Sequence, residues 1–240
     1  MSQYIYRYPP LMSGVLLRRY KRFLADVRLE SGEVVTAHCA NTGPMLGVCE
    51  VGSRVMVSLS NSSKRKLPYT WEMIEVNGTW VGVNTTLPNN IVKMALQRKL
   101  IPELAHQYTQ VKSEVRLGNQ SSTRIDFCLT KEQEPPIYLE VKNTTLAERG
   151  VAFFPDATTG RGQKHLQELI ALTQSRQAKA VMLYFINRGD CKYFDVGRKY
   201  DPVYGQLFQQ ARECGVEILP CRFQVTPEGV RYLGLAEIVS

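Results

Sequence analysis

Over the first third of the chain, apolar and polar residues alternate in short runs separated by turn residues. The runs Arg22–Glu30, Glu33–Cys39, Arg54–Ser60, Tyr69–Val76 and Thr79–Asn84 are expected as strands, with Ser31-Gly32 and Asn77-Gly78 as hairpin turns. Asn-Gly between two alternating runs is a strong hairpin signal, because both residues tolerate the positive φ of a type I′ turn. Five short strands in about 75 residues predict a small closed barrel of the OB type.

The period changes after Pro88. Asn89-Asn90 can cap a helix carrying Ile91, Met94, Ala95 and Leu96 at helical spacing. Strand-like runs follow at Val111–Leu117, Thr123–Leu129 and Ile137–Lys142. Gly160-Arg161-Gly162 then precedes a helix with Leu166, Leu169, Ile170 and Thr173 on one face. Ala178–Ile186 is a continuous apolar run of the kind buried on both faces, Val203–Cys214 reads as helix, and Val216–Phe223 and Gly229–Leu235 read as strands. The expected fold class is therefore α/β, α+β overall: a five-stranded OB-like barrel over residues 1–85, then a mixed-sheet α/β domain over 86–240.

With 240 residues and 44% hydrophobic content, the chain can bury one large core or two modest ones. Lys and Arg total 30 against 22 for Asp and Glu, and the net charge of +8 favours polyanionic partners. The six cysteines form no C-x-x-C pair, and several sit in apolar runs, so reduced thiols and a cytoplasmic location are expected. No apolar stretch has signal-peptide character or approaches the ~20 residues of a membrane span, so no membrane partner is expected. Composition leaves homo-oligomerisation open.

The chemistry concentrates in the second half. In Ile137-Tyr138-Leu139-Glu140-Val141-Lys142, Glu140 and Lys142 share one strand face. In the preceding run Ile125, Phe127 and Leu129 are expected on the core face, with Asp126 opposite. If Leu129 pairs with Ile137, Asp126 falls across from Glu140; if Leu117 pairs with Thr123 across Gly118–Ser122, Glu114 falls across from Asp126. Like charges in such a row destabilise a sheet unless something neutralises them. Mg²⁺, or Mn²⁺, bound by Asp126, Glu140 and Glu114 would do so, with Lys142 placed to orient a water or stabilise phosphoryl charge. The same residues also suit a solvated sheet face on which Lys142 screens the acids.

The first half carries two basic clusters interleaved with aromatics. Arg18, Arg19, Lys21 and Arg22 surround Tyr20 and precede Phe23; Lys64, Arg65 and Lys66 precede Tyr69 and Trp71. Such mixtures suit backbone neutralisation and base stacking, although Phe23 and Trp71 fit a barrel core equally well. His38-Cys39 offers only two zinc-ligand types with no second pair, and Asn41–Pro44 reads as a tight turn.

Asp126 followed by Glu140-Val141-Lys142 on adjacent strands after a helix resembles the PD-(D/E)-x-K nuclease superfamily, with Ile125 in place of the proline. The resemblance implies a restriction-endonuclease-like domain and makes Asp126, Glu140, Lys142 and Glu114 candidate catalytic residues. Gln163, within Gly162-Gln163-Lys164-His165-Leu166, falls where related nucleases carry an accessory polar residue. Relatives often place a glutamate on the first helix; here Asn89 and Asn90 open it and Glu103 lies nearer its end. A second resemblance spans nearly the whole chain. His38–Met45, Lys66-Leu67-Pro68-Tyr69-Thr70 and Asn84–Asn90 are similar to the sugar fermentation stimulation protein A family. That resemblance implies DNA binding and a regulatory role in maltose metabolism; the expectation that binding is largely without sequence preference rests on the chain's own motifs. A Mg²⁺-dependent nuclease acting on single- or double-stranded nucleic acid is the alternative, and a basic scaffold for a protein partner the third. No helix-turn-helix stands out, so sequence-specific operator reading lacks its usual device.

Overall fold

The computed structural model describes residues 3–62, 64–117 and 124–239. The expected turn Gly118–Ser122 and Thr123 lie outside them. In chain order the strands of the first half are β1 (Tyr6–Arg7), β2 (Leu11–Tyr20), β3 (Leu24–Leu29), β4 (Val34–His38), β5 (Arg54–Leu59), β6 (Tyr69–Val76) and β7 (Thr79–Gly82). Then come α1 (Leu87–Gln97), β8 (Gln110–Arg116), β9 (Arg124–Thr130), β10 (Ile137–Thr144), β11 (Ala147–Glu148), β12 (Val151–Phe154) and α2 (Gly160–Gln174). The chain ends with β13 (Lys179–Ile186), β14 (Tyr193–Val196), α3 (Pro202–Glu213), β15 (Glu217–Thr226), β16 (Gly229–Leu235) and β17 (Glu237–Ile238).

The barrel runs β4-β3-β2-β5-β6 and closes through parallel pairing of β4 with β6, Ala37 against Tyr69 and His38 against Thr70. Five strands close the ring as expected, but not the expected five. Leu11–Tyr20 supplies one, while Thr79–Gly82 extends the sheet beyond β6. A bulge between Leu16 and Arg18 breaks the alternation of β2, which hides the strand from a period-two reading. Asn77 and Gly78 make the expected turn, with φ of 50° and 77°. Trp71 is fully buried in the barrel core, its Nε1 donating to the Met73 carbonyl at 3.0 Å, whereas Phe23 is 46% exposed.

In the second half, seven strands run β1-β16-β15-β13-β10-β9-β8, with β13 parallel to both β10 and β15. The apolar run of β13 is continuous because it serves both faces. Val181, Leu183 and Phe185 join α1 in one core, while Ala180, Met182, Tyr184 and Ile186 join α2 and α3 in the other. A smaller sheet, β11-β12-β14-β17, flanks the second core.

The two halves share apolar packing. Met73 of the barrel lies in the α1 core, and the Gly82 N–H donates to the Asn187 carbonyl at 3.0 Å. Tyr6–Arg7, on the N-terminal side of the expected boundary, is an edge strand of the second sheet. All six cysteines are free, and among the described residues no helix is long and apolar enough to cross a membrane.

Candidate functional site

The expected register between β9 and β10 is present: Ile137 faces Leu129, and the ladder continues to Leu139 opposite Phe127. There the backbone pairing gives way to side chains. One oxygen of Asp126 accepts the Val141 N–H at 2.8 Å, and Glu140 Oε2 accepts the Asp126 N–H at 3.4 Å. Opening the ladder also turns β9 over. Phe127 and Leu129 pack against α1, but Ile125 packs with α2 and α3, so the three do not share the single face expected of them.

Glu140 is 2% exposed and sits on the α2 side. Its Oε1 accepts from Lys142 Nζ at 2.7 Å and contacts His165 Nδ1; a carboxylate can only accept, which assigns a proton to that nitrogen. Lys142 Nζ also lies 3.0 Å from His165 Nδ1. Burial pushes the Glu140 carboxyl up, but the His165 hydrogen bond and the Lys142 charge outweigh it and hold the group below its usual range. Asp126 moves the other way. Burial first, and then the Glu140 charge, push it up to about 6 against hydrogen bonds from Val141 and Asn89. Two neighbouring carboxyls are thus held with opposed proton affinities.

α1 completes the far side of Asp126. Its N-cap is Thr86, with Pro88 in the first turn, so Asn89 and Asn90 lie inside the helix rather than capping it. Asn89 Nδ2 donates to Asp126 Oδ1 at 2.7 Å, and a cleft of about 320 Å³ opens there between Asn89, Lys93, Glu114 and Asp126. Glu114 keeps the expected count opposite Asp126, since Ser113 pairs with Phe127 and Val115 with Ile125, but it takes φ of 53° and makes no ladder pair itself. Its side chain is 75% exposed and accepts from Arg124 at 3.4 Å. The structure therefore brings Asp126, Glu140 and Lys142 together and leaves Glu114 at the rim. No group of three or more His, Cys, Asp or Glu in metal-ligand arrangement occurs among the described residues. Glu103 lies beyond α1 and accepts from the Tyr232 hydroxyl at 2.9 Å.

Gln163 is placed elsewhere. Its amide donates to both Asp201 oxygens at 3.0 Å, while Asp201 accepts from the backbone N–H of Thr159 and of Tyr204, each at 2.9 Å. It ties the N-termini of α2 and α3 together rather than touching the acid pair. His165, two residues on, is the α2 residue at the site. Its signal was legible: it shares the buried stripe of Gly162, Leu166 and Leu169, and a polar side chain on an apolar stripe needs a partner. Arg161, one turn earlier, brings its Nε to 3.5 Å from His165 Nε2.

The two basic clusters differ. Arg18 pairs with Asp26 at 2.7 Å and lies over the Tyr20 ring. Arg19 donates to the carbonyls of Asn41 and Gly43, both at 2.9 Å, and Arg22 Nε donates to that of Thr42 at 2.9 Å. Both thus clamp the Asn41–Gly43 turn, which leaves Lys21 as an exposed member of this cluster with φ of 48°. Lys64, Arg65 and Lys66 are all exposed in the β5–β6 loop. Cys39 is buried, with its thiol toward the Asn41 carbonyl and Met45 sulfur, as part of the turn's support.

Comparison with known proteins matches residues 17–83 to the SfsA N-terminal OB domain and residues 86–229 to the sugar fermentation stimulation protein RE domain. The chain is 60% identical to a sugar fermentation stimulation protein homolog of Crocosphaera subtropica, covering 99% of this chain and 98% of that one. A homolog of Synechocystis is 59% identical, covering 98% and 99%. Among solved structures, Pyrococcus furiosus SfsA in complex with Ca²⁺ superposes with a TM-score of 0.88 and 25% identity, covering all of both chains.

Proposed function

The chain belongs to the sugar fermentation stimulation protein family, and from that premise we propose that it binds nucleic acid and carries a divalent-metal-dependent phosphodiesterase site on Asp126, Glu140 and Lys142. The observation that carries the reading is the opened ladder, where Asp126 and Glu140 exchange side-chain for backbone hydrogen bonds beside Lys142. The acid pair suits a hard cation: the donors are carboxylate oxygens, and the Glu140 charge that raises Asp126 is the repulsion a cation would relieve. With two protein carboxylates, most of the coordination shell would be water, the habit of Mg²⁺, and the P. furiosus relative was solved with Ca²⁺. Such an ion, when bound, supplies charge neutralisation at a phosphodiester and a more acidic water.

The protein's own groups do the rest. Asp126 and Glu140 would hold the cation, with Glu140 held below its usual carboxyl range by His165 and Lys142. Lys142, with its side chain 11% exposed, stands against Glu140, where it would stabilise charge developing on a phosphoryl oxygen. The exposed Lys64–Lys66 segment and the +8 charge attract the polyanion without reading its sequence.

The test is cleavage of single- and double-stranded DNA and RNA by wild type, Asp126→Asn and Glu140→Gln with Mg²⁺, Mn²⁺ or Ca²⁺. Metal-dependent cleavage by wild type that both variants lose is expected, with Ca²⁺ binding but supporting little turnover. A wild type that cleaves nothing while binding metal and DNA would leave a docking site in place of an enzyme.

A further inference from the structure

A second polar cavity lies where the barrel meets the α/β half, one residue beyond Lys142. Its volume is about 110 Å³, and its walls are the Asn41–Gly43 turn, the Asn143–Leu146 segment, Phe153, Phe154 and Asp156. Thr144 lies in this wall at 1% exposure, and its Oγ1 is buried without a hydrogen-bond partner. A buried hydroxyl in that state costs free energy unless something entering the cavity completes it. Thr144 follows Lys142 by two residues on β10 and shares its strand face, about 7 Å further along. The cavity therefore continues the line of the acid pair and Lys142.

We propose that this cavity is a subsite for one nucleobase of the strand whose phosphate engages Asp126 and Glu140; the inference rests on the phosphodiesterase reading above. The lining selects a base over a phosphate. No Lys or Arg contributes to it, and Asp156 would repel an anion, while Asn143, Thr144 and Asn41 offer neutral donors and acceptors to a base edge. Phe153 and Phe154 offer aromatic surface on which a base packs. The opposite wall is fixed in place, because Arg19 and Arg22 hold the carbonyls of residues 41 to 43. The barrel thereby contributes a side of the substrate channel as well as basic surface.

Thr144→Val separates this from a structural role. It keeps shape and replaces an unpartnered hydroxyl by a methyl, so the unliganded fold should be equally or more stable. Binding is read by fluorescence anisotropy on the full chain with Ca²⁺, using a short single-stranded DNA and versions carrying one abasic site at successive positions. Wild type should lose roughly five- to tenfold in affinity at one abasic position, about one hydrogen bond and its packing. Thr144→Val should weaken the intact strand by a similar factor and bind that abasic strand as wild type does. Equal weakening of intact and abasic strands, or wild-type affinity in Thr144→Val, overturns the subsite; if Asp126→Asn still abolishes Mg²⁺-dependent cleavage, the phosphodiesterase reading survives that failure. No binding of any strand by wild type overturns both.

Discussion

The carboxylate of Asp126 accepts the backbone N–H of Val141 at 2.8 Å, taking the place of a main-chain carbonyl where β9 and β10 separate. One side chain thus serves two purposes. It satisfies a strand donor that would otherwise be orphaned, and it presents its remaining capacity between Glu140 and Asn89.

Two substitutions at this position should separate the purposes. Asp126→Asn keeps an acceptor for Val141 and should fold at wild-type stability or above, while losing most divalent-metal binding in calorimetric titration. Asp126→Ala leaves the Val141 N–H unpaired and should cost about 1–3 kcal/mol in denaturant unfolding as well as metal binding. Equal stability of the two variants would show that the hydrogen bond is incidental.

His165 acts through Glu140. His165→Ala removes a hydrogen bond that favours ionised Glu140 and should weaken metal affinity about 10- to 100-fold, the usual effect of losing a group that orients a ligand. His165→Asn, which can still donate one hydrogen bond, should recover part of the loss. A metal titration indifferent to both changes would remove His165 from the site.

The acid pair was readable because antiparallel pairing makes register a matter of counting once one pair is guessed. Leu129 opposite Ile137 carries Asp126 to Glu140. What counting misses is where a strand departs from its ladder. Glu114 has the right number but a positive φ, and Ile125 changes face beside Asp126; neither leaves a mark in the alternation. Likewise β2 was hidden by its bulge, and β11, β12, β14 and β17 are two to four residues long, too short for a period to register. Arg19 and Arg22 read as exposed cations by composition, yet their guanidinium groups close onto carbonyls of the Asn41–Gly43 turn, in a contact some 20 residues away that local sequence does not encode.

That difference predicts a split between the basic clusters. Neutralising Lys64, Arg65 and Lys66 together should leave the melting temperature near wild type and flatten the log-affinity against log-salt slope by about two to three units, if all three meet phosphates. Arg19→Ala should instead lower the melting temperature, because three carbonyls lose a shared donor. An unchanged slope in the folded triple variant would move the polyanion surface elsewhere.

The last prediction concerns Glu72, a carboxylate 6% exposed in the barrel wall. Burial raises its carboxyl above the ordinary value, and hydrogen bonds from Ser58 at 2.6 Å and Asn84 at 2.8 Å, with the Arg65 charge, offset this only in part. Between the unfolded and folded values the native state binds more protons, so stability falls as pH rises through that window, and the full cost is present above the folded value. Glu72→Gln removes the charge but can keep both contacts, its carbonyl accepting from Asn84 and its amide donating to the Ser58 hydroxyl. The variant should therefore melt higher than wild type at neutral and alkaline pH, and the gap should close as pH falls toward the ordinary glutamate value of about 4.3. Melting curves of both proteins across that range check the sign. A gap that widens on acidification would mean that the hydrogen bonds, rather than burial, dominate at Glu72, and that the buried charge stabilises the barrel.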